Sequence, residues 1–388
     1  MMAARTRIWF LALLPVALLA VLSLVVANTG VVSFLRQGVP PVEELTFERV
    51  TLAPDLITLE VVNGGPDPVT VAQVIVDDAF WEFTVAPSPT VARLGRATIQ
   101  VPYPWVQDEP HEVTLLSSTG LTFSHEIPVA TVTPSAGPRF FGIFALIGLY
   151  VGVIPVAIGL LWYPLLRRLK RRWVDFALAL TIGLLVFLGA DALHEALESA
   201  AQLAGAFQGT LLVVVGTLGA VLLLQMAART RLEGGGAKGR GAVAFLIALG
   251  IGLHNLGEGL AIGAAYSLGE AALGAFLIVG FMLHNTTEGL GIVAPIAQDR
   301  PRLRTLAGLG LLAGVPTIFG AWIGGLAYSP LYATLFLAVG AGAIAQVVIA
   351  LYRVVGRESE GSMWTPLSAG GVLVGLLVMY GTGLLVAV

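Results

Sequence analysis

Nine runs of about twenty apolar residues punctuate this chain, at 8–27, 140–166, 173–199, 207–228, 241–267, 270–298, 303–327, 331–354 and 364–387. A helix rises about 1.5 Å per residue, so each run is close to the length that crosses the roughly 30 Å hydrocarbon core of a bilayer. Lipid offers no partners to backbone N–H and C=O groups, which confines such runs to helices. Composition agrees. Of 388 residues, 56% are hydrophobic and only 12% charged, with a mean hydropathy of +0.87. That mixture cannot supply the charged surface of a water-soluble protein. A formal charge of −3 argues against a nucleic-acid partner, which needs a concentrated basic face. The chain has no cysteine, so disulfides, thiolate metal sites and iron–sulfur clusters are excluded. Any bound metal must be held by imidazole, carboxylate, amide or water.

The first run follows Arg5 and Arg7 and reads, with residues 1–37, as a signal anchor or signal peptide. It exceeds the roughly 7 to 15 apolar residues of a cleaved signal, which favours an anchor, although Val25-Val26-Ala27 offers a cleavage point. Residues 38–138 differ in character. Short β-branched or alternating runs at 45–52, 56–62, 69–76, 80–85, 97–101, 112–116 and 121–127 are separated by turn signals, Asn63-Gly64-Gly65-Pro66 being the clearest. About seven strands in about 100 residues predict a small immunoglobulin-like β-sandwich. It is acidic: residues 40–138 hold 13 Asp or Glu against three Arg, a net −10. Residues 139–388 then form an eight-helix transmembrane domain. The fold class expected is therefore a polytopic α-helical membrane protein with an N-terminal anchor and one extracytoplasmic β domain.

Basic residues orient the helices. Arg167, Arg168, Lys170, Arg171 and Arg172 follow the second run; Arg229, Arg231, Lys238 and Arg240 follow the fourth; Arg300, Arg302 and Arg304 follow the sixth; Arg353 and Arg357 follow the eighth. The intervening loops carry none. Alternate loops are thus cytoplasmic, with the β domain and the C-terminus outside a cell (plasma or inner) membrane.

Ionisable side chains inside a bilayer are costly and mark functional candidates. Within the last eight runs these are Asp191, His194, Glu195, Glu198, His254, Glu258, His284 and Glu288, with no Lys or Arg deep in any run. Every one can be a neutral or anionic ligand, which suits a cation. His254 and Glu258 are four residues apart, as are His284 and Glu288, so each pair shares a helix face and can share one metal ion. Asn255 and Asn285 follow the two histidines. Residues 253–262 and 283–292 match at seven of ten positions. Both pairs lie near mid-membrane, entered from opposite sides. Hydrogen-bonded helix pairing is the alternative use of such residues. Asp191, His194, Glu195 and Glu198, spaced at three, four and seven, suggest one shared face near the outer surface, either a gate that collects cations or a solvated helix end. His111 and His125 are weaker external metal candidates. Gly148/Gly152, Gly320/Gly324 and Gly371/Gly375 predict close helix packing.

The duplicated His-Asn-x-x-Glu-Gly segments resemble the Zrt- and Irt-like (ZIP) family of divalent metal transporters, whose fourth and fifth helices carry His-Asn-x-Pro-Glu-Gly-type motifs. The Asp191–Glu198 segment is similar to the family's second helix. The resemblance covers the eight-helix region and implies a ZIP-like bundle. In it His254, Glu258, His284 and Glu288 form the primary transport site, with Asn255 and Asn285 serving an adjacent one. Gly257 and Thr287 stand where the motif has proline, so a helix break there would rest on glycine flexibility or a hydroxyl contact. Gly314-Val315-Pro316 puts valine where the family has a carboxylate, and only Gln346 is polar late in the seventh helix. These departures predict one tight midplane ion per chain.

The expected function is therefore inward transport of a divalent metal ion, with zinc first and iron or manganese as rivals, since imidazole with carboxylate suits several such ions. The metal is cargo; no further cofactor is expected, and the chain is not expected to be an enzyme. The partners expected are the metal and the lipid bilayer, with room for a homodimer. Two alternatives come from other classes. One is an intramembrane zinc hydrolase using His194, His254 and His284; the other is a metal-sensing receptor signalling through the β domain.

Overall fold

The computed structural model describes residues 14–26, 41–133, 135–232, 237–267, 271–327, 329–358 and 365–384. The chain divides into two compact units, Met1–Val42 and Glu43–Val388. In the first, the described part of the expected anchor is one short apolar helix, α1 (Leu14–Val26). Arg5, Arg7, Ala27 and the expected boundary at residue 37 lie outside the described residues.

The second unit opens with nine strands: β1 (Leu45–Ala53), β2 (Leu56–Asn63), β3 (Val69–Val76), β4 (Ala79–Trp81), β5 (Thr84–Ala86), β6 (Thr90–Val91), β7 (Arg96–Val101), β8 (His111–Ser117) and β9 (Thr122–Ile127). They form two antiparallel sheets, ordered β1-β2-β7-β5 and β4-β3-β8-β9, with β6 pairing β3. Alternation sets the core. Ile57, Leu59 and Val61 of β2, Ile99 of β7, and Val113 and Leu115 of β8 are fully buried in one cluster shared by both sheets. The run at 80–85, expected as one strand, is two. Residues 79–81 pair with β3 and residues 84–86 with β7, so the chain changes sheet between them. The β3–β4 hairpin turns on Asp77 and Asp78, both at positive φ, the geometry of a two-residue hairpin loop.

Asp77 also organises the domain's polar centre. Tyr103 Oη donates to Asp77 Oδ2 at 2.6 Å, His111 Nδ1 lies 2.6 Å from the same oxygen, and the Glu112 N–H donates to Oδ1 at 2.9 Å. Burial opposes ionisation of Asp77, but these bonds outweigh it and hold the carboxyl below its usual range. Burial and the same carboxylate push the Tyr103 phenol up to about 12. The other His111 nitrogen accepts from the Val106 N–H at 3.1 Å. His111 is therefore buried with both nitrogens engaged, and does not serve as an external metal ligand. His125 is half-buried against Phe47, ring centroids 5.2 Å apart, and burial lowers its pKa.

Gly137 and Pro138 start the helical region, proline suiting the first helical turn. The helices are α2 (Pro138–Gly148), α3 (Ile154–Leu160), α4 (Tyr163–Leu166), α5 (Arg171–Ala201), α6 (Gly209–Leu232), α7 (Ala237–Ser267), α8 (Ala271–Val293), α9 (Leu303–Gly314), α10 (Pro316–Ala327), α11 (Pro330–Glu358) and α12 (Pro366–Leu384). Among the described residues seven spans are long and apolar enough to cross a membrane, 138–166 being one continuous span through α2, α3 and α4. They correspond to the second through eighth sequence runs. The first and ninth runs appear as shorter apolar helices, Leu14–Val26 and Pro366–Gly381. These spans make the chain a multi-pass membrane protein in form.

α7 is the most enclosed span, with 72% of its apolar window buried, and α6 the least, with 17%. α7 packs on α10, α11, α8 and α9; α5 packs on α11 and α12; and α3 packs on α8. The three expected glycine pairs sit at such crossings. A Cβ on Gly148 would lie 2.7 Å from Ile318 Cα, and Gly152 abuts Thr317 and Gly314. Gly320 and Gly324 face the α7 backbone at Leu256 and Leu260, and Gly371 and Gly375 face the α5 backbone. Arg240, at the start of α7, pairs with Asp299 beyond α8.

The β domain docks on the opposite end of the bundle from these basic residues. The Gly205 N–H, between α5 and α6, donates to Glu44 Oε1 at 2.7 Å, and Arg49 NH1 donates to the Leu326 carbonyl near the end of α10 at 2.9 Å. A carboxylate on free N–H groups and a guanidinium on a helix's last carbonyls both follow the helix dipole.

Candidate metal centre

The four-residue spacing on α7 brings His254 Nε2 to 3.2 Å from Glu258 Oε1. α8 supplies His284, whose Nε2 meets the same Oε1. The two imidazole centroids are 6.3 Å apart. Asn285 Nδ2 donates to the second Glu258 oxygen at 2.9 Å. Glu258 is fully buried and His254 is 4% exposed, so this convergence lies inside the bundle.

One ligand atom from each of His254, Glu258 and His284 falls within 4.8 Å of the others. Ligand atoms at about 2.1 Å from a tetrahedral divalent ion sit roughly 3.4 Å apart, so small rotamer shifts would close the set on such an ion. Glu288, one turn beyond His284, is buried beside Asn255, and neither of its oxygens has a hydrogen-bond partner. It also borders a small cavity of about 10 Å³ lined by Thr181, Leu184, His284, Thr287 and Met379, room for about one water-sized guest.

The two asparagines are held by matching devices. Pro155 has no N–H to give to the Val151 carbonyl four residues before it. The helix widens there into a π-helical turn, Leu149–Val153, and Val151 O accepts from Asn285 Nδ2 at 3.0 Å. Pro316, between α9 and α10, withholds its N–H from the Leu312 carbonyl four residues before it, and the next carbonyl, that of Ala313, accepts from Asn255 Nδ2 at 3.1 Å. Each amide is thus oriented by a backbone carbonyl in a proline-interrupted turn. Its own Oδ1 is left buried with no partner.

These orphaned oxygens, with the His254 Nε2 and Thr317 Oγ1 atoms that also lack hydrogen bonds, are all acceptors or can act as such. Unpaired buried acceptors are costly; among them only His254 Nε2 has a charged group in contact, Glu258 Oε1 at 3.2 Å. Thr317, fully buried two residues after Val315, is a polar neighbour that the motif reading passed over. Its signal was a hydroxyl directly after a proline in an apolar run. Gly257 and Thr287 do not break their helices, since α7 and α8 are continuous. The Thr287 hydroxyl donates to the His284 carbonyl at 2.6 Å.

The α5 cluster does not share one environment. Ala192, Ala196 and Ala200 form the packed face. His194 and Glu198 pair at 3.2 Å with side chains 69% and 66% exposed, and Asp191 is exposed. Glu195 alone turns inward, within electrostatic reach of His254, Glu258 and His284. His194 therefore stands apart from the two inner histidines, and the three-histidine set needed for a hydrolase is not assembled. Comparison with known proteins adds no name: no family model matches the chain, and no curated protein matches it.

Proposed function

We propose that this chain is a ZIP-like transporter carrying a divalent metal ion across a membrane through the site on α7 and α8. The observation that carries the reading is the buried convergence of His254, Glu258 and His284, with ligand atoms within 4.8 Å of one another. Around it stand unpartnered acceptors on Glu288, Asn255 and Asn285. Imidazole and carboxylate fit zinc, with iron and manganese as rivals. The two glutamates offset a divalent charge that hydrocarbon would otherwise reject.

The positive-inside tendency puts the basic ends in the cytoplasm and the β domain outside, so flow toward the basic ends is uptake. The sheet order β1-β2-β7-β5 against β4-β3-β8-β9 supports an immunoglobulin-like reading of the β domain, being that of strands A-B-E-D against a C-F-G sheet extended by one strand.

Uptake of Zn²⁺ into proteoliposomes tests the proposal. Unsubstituted protein should give uptake that saturates with metal. His254→Ala or Glu258→Ala should abolish it while the protein still inserts. Near-normal flux in either variant would remove the site.

A further inference from the structure

α3 and α9 run antiparallel past one another. A Cβ on Gly314 would lie 2.7 Å from Val153 Cα, and one on Gly310 would lie 2.7 Å from Leu160 Cδ1. Carried seven residues beyond Leu160 and seven back from Gly310, about 10 Å in a helix, this register brings Arg167 level with the start of α9 at Leu303. α4 agrees, since it packs on the Ala294–Asp299 turn that leads into Arg300. The two basic loops therefore meet at one end of the bundle.

Arg167, Arg168 and Lys170 on the first loop, and Arg300, Arg302 and Arg304 on the second, are exposed. The two carboxylates on these segments are already engaged: Asp175 accepts from Arg171 Nε at 3.0 Å, and Asp299 from Arg240 Nε at 2.8 Å. Among the described residues the six cations have no carboxylate partner, so like charges crowd one face with nothing to offset them. Exposed apolar side chains flank the charges, Leu161, Trp162 and Leu165 on one side and Trp173 on the other. The Arg172 guanidinium lies 5.8 Å from the Trp173 ring centroid. Tryptophan beside basic residues at the end of a span marks headgroup depth.

We propose that this face binds the phosphate headgroup of an anionic phospholipid, held by Arg167 and Arg168 from one loop and by Arg300 and Arg302 from the other. Guanidinium forks match phosphate oxygens bidentately. A zwitterionic headgroup brings its own ammonium and would leave most of the charge unmet. A free phosphate would satisfy the arginines but not the apolar flank, whereas a lipid lays its acyl chains against Leu161, Trp162 and Leu165. Clustered basic residues at the end of a membrane span favour anionic lipid on general electrostatic grounds. The site does not depend on the chain carrying metal.

Native mass spectrometry of the full-length protein in detergent tests this, titrated with phosphatidylglycerol or with phosphatidylcholine of the same acyl chains. Phosphatidylglycerol should be retained in preference. Arg167→Gln with Arg168→Gln, and separately Arg300→Gln with Arg302→Gln, should each cut that preference roughly thirtyfold, the scale of two basic side chains at an anionic surface. Arg167→Lys with Arg168→Lys keeps the charge and should restore most of it, which a purely structural loss would not allow. Equal retention of the two lipids, or a preference unchanged in both Gln pairs, overturns the site. Displacement of the bound lipid by inorganic phosphate overturns the lipid assignment in favour of a small-anion site. A preference intact in protein that shows no Zn²⁺ uptake leaves the site standing and overturns only the transport reading.

Discussion

Asn285 holds together two groups that have no other side-chain donor among the described residues, the Val151 carbonyl and one oxygen of Glu258. Asn285→Ala strands both in a dry interior, at about 1–3 kcal/mol for each unsatisfied group. It should lower the unfolding temperature in detergent and weaken Co²⁺ binding at the inner site, whereas an unchanged melt would show that water or a rotated side chain replaces the amide. Asp77 tests the β domain through pH. Its folded pKa lies below the unfolded value of about 3.9. The stability it contributes is fully present above that value and is lost as pH falls through the folded pKa. With more than a third of its side chain exposed, Asp77→Asn should cost about 1 kcal/mol at pH 7. It should also flatten the acid limb below about pH 4, read by tryptophan fluorescence of the full chain. At this scale the convergence of His254 and Glu258 was legible because His-x-x-x-Glu spacing alone puts both groups on one helix face. The orientation of the amides was not, since it depends on carbonyls 134 and 58 residues away in sequence.

Helix α10 lies backbone to backbone against α7. A methyl at Gly324 would press on the Leu260 carbonyl and come within 3.0 Å of the Ala264 nitrogen, both rigid backbone atoms. Gly324→Ala should therefore force the helices apart and destabilise by about 1–3 kcal/mol. A methyl added at Gly219 on α6 would meet nothing within 4 Å, so Gly219→Ala should be neutral or stabilising by up to about 1 kcal/mol through helix propensity. Thermal unfolding of the two variants side by side measures the contrast; equal shifts would mean that α7 and α10 are not tightly apposed. The small-residue spacing announced these crossings, and hydropathy announced the seven spans, because burial in lipid and close approach each leave a composition mark. The sheet change at 82–83 left none: residues 80–85 alternate smoothly whichever sheet they join. Nor did the four-residue spacings on α5 reveal that alanines would take its packed face and leave Asp191, His194 and Glu198 outside. Tertiary partners decided both.

The whole molecule is polarised, with basic ends on one side and an acidic β domain docked on the other through Glu44 and Arg49. The absence of native cysteine makes the orientation easy to read. Ser118→Cys, exposed in the β domain, should react with an impermeant maleimide in intact cells. Leu303→Cys, 82% exposed at the basic end, should react only after permeabilisation; the reverse pattern would turn the proposed uptake into export. The proline-interrupted turns carry a consequence for biogenesis. When the span 138–166 first enters the bilayer, the Val151 carbonyl lacks the Pro155 N–H and has yet to meet the Asn285 amide, and a carbonyl without a partner in hydrocarbon costs several kcal/mol. The docking of α8 supplies that amide. Because Asn285 also bonds Glu258, closure of the His254–Glu258–His284 cluster and the seating of α8 on the proline-interrupted span are completed by one side chain, and a chain in which that step is unfinished leaves a polar group facing lipid.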